Sequence, residues 1–153
     1  MYRCSWLLVV LTFAVSFLQG QAHYNASVYL KTYRQAEKWY HAENPTALSD
    51  SLAINAYLRT LLQMKKEGVV NRLTIDSYLK SGILQMTAGD NATALKSFQQ
   101  AITVHYLTGQ LPDSLLFQPC LYAGSIHYDF NNLDSAVFYY KKAEAINSIY
   151  PAL

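Results

Sequence analysis

The stretch Leu121–Ala145, LYAGSIHYDFNNLDSAVFYYKKAEA, reads as two helices joined by a tight turn. The first helix runs to about Phe130, Asn131 and Asn132 make the turn, and the second helix starts near Asp134. Small residues stand where two helices would touch: Gly124 on the first, Ala136 and Ala143 on the second. Tyr128, Phe138 and Tyr140 are expected to fill the space between them. A glycine inside a helix costs roughly 1 kcal/mol against alanine, so Gly124 is expected where a neighbouring helix must come close.

The same set occurs once more upstream. Gly82, Ala94, Phe98 and Ala101 each precede Gly124, Ala136, Tyr140 and Ala143 by 42 positions. In both sets an alanine follows the glycine by twelve residues, an aromatic comes four later and a second alanine three after that. Phe98 and Tyr140 are the expected plugs, each worth about 1.5–3 kcal/mol if fully buried. These eight residues resemble the signature of the tetratricopeptide (TPR) repeat, a helix-turn-helix with small and large residues at fixed offsets. The resemblance implies an all-α solenoid of about three helix-turn-helix repeats following a signal peptide. Residues 74–107 and 113–150 would be two of the repeats, and 23–68 a divergent first one. Each is extended to roughly 42 residues against about 34 for a generic repeat. Longer helices and the link Tyr106–Leu116 would hold the extra length.

Upstream, residues 23–42 read as a helix, with Val28, Tyr29, Tyr33, Ala36, Trp39 and Tyr40 near a 3.6 period and Asn44-Pro45 as its stop. Ser49 or Asp50 can cap the next helix, Leu52 to about Lys66, with Ala53, Tyr57 and Leu61 inward. Thr60 stands where the pattern would have its following alanine, and Ala36 is the small residue of the first helix. Thr74 can cap a helix from Ile75 to about Ala88, Gly89-Asp90 turns the chain, and Asn91 to about Tyr106 is its partner. Pro112-Asp113-Ser114 looks like a helix start, with Pro119 tolerated in or near a first turn.

Residues 1–22 read as a secretory signal peptide. Arg3 supplies a positive start, Trp6–Leu18 an apolar run, and Gly20-Gln21-Ala22 small residues at a cleavage site. The run is shorter than the roughly 20 residues a membrane span needs, so cleavage is the expectation and an uncleaved anchor the alternative. The chain is therefore expected to be exported, periplasmic or secreted, with no membrane contact after cleavage. Of the two cysteines, only Cys120 would remain, which excludes an internal disulfide; four residues before Gly124 on the same helical face, it reads as a small buried apolar group. A net charge of +2, or +1 without Arg3, offers no field for nucleic acid. Lys65-Lys66 and Lys141-Lys142 read as solvated pairs. Asn25-Ala26-Ser27 and Asn91-Ala92-Thr93 match the glycosylation acceptor pattern, but read as cap and turn residues.

Neither a catalytic constellation nor a metal or cofactor motif stands out. His41 has Glu37 and Asn44 at helical spacing, both ordinary surface types. Ser125 and His127 diverge by about 200° on a helix and cannot form a dyad. What remains is a surface. The resemblance implies a concave face lined by the first helix of each pair, carrying Leu79, Ile83 and Met86, then Leu121, Ser125, Tyr128 and Asp129. Such a face suits a protein or peptide ligand. The phrases NPTALSDSLA and LPDSLLFQPCLYAGSIHYDFNNLDSAVFYYKKAEA also resemble the N-terminal region of exported bacterial TPR proteins. Many of these continue into a caspase-like CHAT domain and others into a membrane signalling kinase, so a regulatory array of a larger protein is the alternative to a free scaffold. The last helix offers Ala136, Val137, Tyr140, Ala143 and Ile146 with nothing after Leu153 to cover them. Self-association through that helix, or a longer array, is expected.

Overall fold

A computed structural model describes residues 28–151; the signal-peptide reading, Asn25 and the start of the first helix lie outside them. The described residues are all-helical, without strands. Helix α1 occupies 28–40. It is followed by α2 (Ala47–Lys66), α3 (Arg72–Thr87), α4 (Asn91–Thr108), a 3-10 turn (Asp113–Leu116), α5 (Phe117–Asp129) and α6 (Leu133–Ile149).

Two helix starts fall earlier than the sequence predicts. Thr46, not Ser49 or Asp50, caps α2: its Oγ1 accepts from Ser49 N at 3.1 Å while Ser49 Oγ accepts from Thr46 N at 2.8 Å. Asn71 caps α3, accepting from Leu73 N at 2.8 Å, and Thr74 is the reciprocal residue of that box. Such reciprocal caps satisfy orphan N–H groups at both ends of the box. Asp90 caps α4 through Thr93 N, and Asn91 is the first residue of that helix.

The turns repeat with the sequence. Gly89 (φ +84°) and Asn131 (φ +58°) both adopt the left-handed conformation that closes a helix. After the first, Asp90 N donates to Gln85 O at 2.9 Å; after the second, Asn132 N donates to His127 O at 2.8 Å. These are the same closure 42 residues apart.

Packing is heaviest between helices adjacent in the chain, and three core clusters tie each pair to the next. Ala36, Ala53, Tyr57 and Leu84 join α1, α2 and α3. Leu79, Ala94, Phe98, Ala123 and Ile126 join α3, α4 and α5. Ile102, Leu116, Cys120 and Ala143 join α4, the 3-10 turn, α5 and α6. Thr60 is buried, its hydroxyl 2.9 Å from both Ala56 O and Thr32 Oγ1. Pro119 sits in the first turn of α5, where its missing N–H leaves no bond unmade.

Of the three aromatics expected between α5 and α6, Tyr140 is in place and the other two are not. Tyr128 and Phe138 are 62% and 53% exposed. Tyr139 and Tyr122 turn inward instead: Tyr139 stacks on His127 at 5.4 Å between centroids and Tyr122 on Phe98 at 5.3 Å. Tyr140 covers Gly124 as the pattern demands, yet its other side faces solvent.

Candidate interaction surface

Residues 76, 79, 83 and 86 form a stripe along α3, and 118, 121, 125 and 128 form its counterpart on α5. Leu79 belongs to the core and reaches the surface only as a cavity wall. Ile83 and Met86 are half-buried against the same core. Ser125 is half-buried, whereas Leu121, Tyr128 and Asp129 are exposed. The predicted residues do not converge on one site. Leu79 opens on a cavity shared with α5, while Leu121 opens on a separate groove against α6.

The cavity lies between the starts of α3 and α5 and measures about 270 Å³. Ile75, Leu79, Leu115 and Phe117 make its apolar walls, with Arg72 and Asp76 at its polar side. That volume falls just below the usual range of about 300–1,000 Å³ for small-molecule sites and suits a bulky side chain of a peptide.

Asp76 also belongs to a polar network joining α1, α2 and α3. Lys80 Nζ donates to Glu37 Oε1 at 2.8 Å and Oε2 at 2.9 Å, and pairs with Asp76 Oδ2 at 2.9 Å. Tyr33 OH donates to Asp76, and Tyr57 OH donates to Glu37 Oε1 at 2.5 Å. The ammonium stands over the rings of Tyr33 and Tyr40, 5.7 and 5.4 Å from their centroids, a placement that favours a cation. Burial by itself pushes the Glu37 carboxyl up, but the hydrogen bonds from Lys80 and Tyr57 and the Lys80 charge hold it below its ordinary value. Burial pulls Lys80 down, and its bonds to Glu37 and Asp76 outweigh this and raise it. Tyr33 is raised, first by burial and then by its bond to Asp76.

Sequence reading misses this network. It treats Glu37 as a surface neighbour of His41, although Glu37 on α1 is tied to α2 through Tyr57 and to α3 through Lys80. The one local signal is Asp76 and Lys80 at i,i+4 on a helix, a pairing geometry in its own right. Lys142, read as solvated, also stands over rings, 4.9 Å from that of Tyr106 and 4.6 Å from that of Phe138.

Among the described residues no three His, Cys, Asp or Glu side chains cluster to hold a metal, and no helix is long and apolar enough to cross a membrane. No protein-family model, curated protein or solved structure matches the chain.

Proposed function

We propose that this chain is a non-catalytic scaffold of TPR-like helical pairs, exported by its N-terminal apolar segment, that binds an extended segment of a protein along the first helices of its pairs. The cavity between α3 and α5 carries this reading. It has apolar walls for one anchoring side chain, and Arg72 and Asp76 on its polar side are a donor and an acceptor that a peptide backbone could use. The network of Glu37, Asp76 and Lys80 braces α1 against α3 beside it, so the α3 wall does not have to be ordered on binding, which favours affinity.

The test is selection of a displayed peptide library on the full chain, followed by fluorescence anisotropy with the recovered peptides. Gln118→Trp, an exposed position on the cavity wall, should weaken binding at least about tenfold, equivalent to about 1.4 kcal/mol. Thr103→Trp, on the exposed side of α4, should not. Recovered peptides that bind wild type and Gln118→Trp equally, or no recovered peptides, would overturn the reading.

A further inference from the structure

We infer that the outward face of α2 docks on an anionic lipid surface, with its leucines entering the headgroup boundary and Arg59, Lys65 and Lys66 held at the phosphates. The inference goes beyond the peptide reading and rests on a different surface. It starts from four leucines that packing leaves outside: Leu48 is 70% exposed, Leu52 36%, Leu58 45% and Leu62 56%. At about 100° per residue, Leu48, Leu52 and Leu62 fall within roughly 80° of arc. Asn55, Arg59 and Lys66 share that arc, and Leu58 and Lys65 stand beside it, all of them exposed. The opposite face, with Ala53, Tyr57, Thr60, Leu61 and Met64, is the buried one. The helix is therefore apolar on both sides, and among the described residues only the inner side is covered. Leucines interleaved with exposed cations on one helix face are the pattern of a peripheral membrane contact, in which apolar burial and attraction to acidic headgroups add. The long stems of lysine and arginine let their charges stay at the headgroups while the leucines go deeper. The sequence alone leads to no membrane contact after cleavage; the leucines that the fold leaves outside on α2 change that reading.

Charge selects the occupant. The first two helices expose Lys31, Arg34 and Lys38 on α1 and Arg59, Lys65 and Lys66 on α2. Their acids are used or turned aside. Glu37 is committed to Lys80, Asp50 is half-buried in the first turn of α2, and Glu67 accepts from Gln63. Glu43, in the loop before α2, is the one exposed acid of residues 28–67. From α4 onward the balance reverses: Asp90, Asp113, Asp129, Asp134 and Glu144 are exposed, against Lys96 and Lys141. A net charge of +2 for the whole chain thus hides a basic end. Residues 1–27 carry Arg3 and no acid, so they do not complement the stripe. A second copy meeting it α2 to α2 brings cations against cations. The groove between α5 and α6 of a second copy carries Lys141 beside Glu144, which leaves no net negative charge for α2. It is also shorter, about 15 Å from Val137 to Asn147 against about 21 Å from Leu48 to Leu62. A single helix presents a convex ridge, which a rigid acidic protein accepts only with a matching groove, whereas a fluid headgroup layer closes around it.

The probe is a vesicle of mixed phosphatidylglycerol and phosphatidylcholine, with pure phosphatidylcholine as the reference. Both are sedimented with the full chain and with a chain starting at His23, which keeps every described residue and lacks the apolar run Trp6–Leu18. The chain starting at His23 should partition to the anionic vesicles at least about tenfold more strongly than to the neutral ones, and less as salt rises. In that chain Leu62→Glu, at an exposed position that spares the fold, should weaken partitioning at least about tenfold. Lys65→Glu combined with Lys66→Glu should do the same. Leu107→Glu, at an 81% exposed leucine of α4, should leave it unchanged. So should Gln118→Trp, and the outcome here therefore does not bear on the peptide reading. No partitioning, equal partitioning to both vesicles, or partitioning indifferent to Leu62→Glu would overturn the proposal. So would partitioning of the full chain alone, since the contact would then lie before α1. Retention on polyglutamate without partitioning to vesicles would assign the face to an acidic protein instead. Self-association in sedimentation velocity that Leu62→Glu abolishes would assign it to a second copy.

Discussion

The ring of Phe98 occupies the space in which residue 82 would carry a side chain. A Cβ on Gly82 would stand 2.5 Å from Phe98 Cε1, and one on Gly124 would stand 2.8 Å from Tyr140 Cδ1. One contact is thus made twice, 42 residues apart, but its surroundings differ. Phe98 is fully buried and stacked on Tyr122, whereas Tyr140 has a free side.

That difference sets the outcome of adding a methyl group. Gly82→Ala forces a locked ring to move, and overpacking of this kind costs about 1–3 kcal/mol, more than the roughly 1 kcal/mol that alanine returns in helix propensity. At Gly124 the ring of Tyr140 can swing outward. Urea unfolding should show a clear loss for Gly82→Ala and a smaller change, of either sign, for Gly124→Ala. Equal losses would show that Tyr140 is held as firmly as Phe98.

Lys80 bridges two carboxylates, Glu37 on α1 and Asp76 on its own helix α3. Lys80→Met should cost about 1.5–3 kcal/mol at neutral pH, the range for hydrogen bonds to charged groups. The dependence on pH has a definite sign. Glu37 is held below its ordinary value of 4.5 in the folded chain, so its contribution is fully present above that pH and is lost as pH falls through the folded value. The gap between wild type and Lys80→Met should therefore be widest near neutrality and narrow below about pH 4.5. Thermal melts at several pH values check this, and a gap unchanged into acid would remove Glu37 from the account.

Cys120 is fully buried among Ile102, Leu116 and Ala143, and burial pushes its thiol up to about 11. The thiolate is the reactive form. Ellman's reagent at pH 8 should leave Cys120 unmodified in the folded chain and react with it completely in denaturant. Rapid reaction of the native chain would mean that the 3-10 turn opens readily.

Thr46 starts α2 by a reciprocal pair of bonds with Ser49. Thr46→Ala should cost about 0.5–2 kcal/mol, the usual loss for a cap. Asp50→Ala, at the position the sequence also offers as a cap, should cost less, because Asp50 supplies only a first-turn charge. Urea titration of the two variants ranks them.

Much of the architecture was legible because it rests on local chemistry. Gly89-Asp90 and Asn131-Asn132 mark the two turns by backbone preference. The glycine–alanine–aromatic set marks a helix seam because only small residues allow close approach, and Cys120 reads as buried from its place on that seam. The early starts of α2 and α3 were not legible, since each run offers several capping residues and docking of the helix selects among them.

That the candidate residues share one stripe on α3 and one on α5 follows from helical spacing, but that the two stripes open on separate cavities does not. Phe138, Tyr139 and Tyr140 are consecutive, and each step turns the helix by about 100°, so periodicity alone cannot say which ring faces α5. Packing turns Tyr139 inward onto His127 and leaves Phe138 outside under Lys142. Glu37 and Lys80 lie 43 residues apart, and no local rule brings them together. The amino-acid sequence by itself determined the helices, their turns and the small-residue seams, since these follow from dihedral preference and spacing. The tertiary structure alone decided which aromatics are covered, that Leu79 and Leu121 open on different sites, and that Lys80 joins two carboxylates, because each depends on the angle at which one helix meets the next.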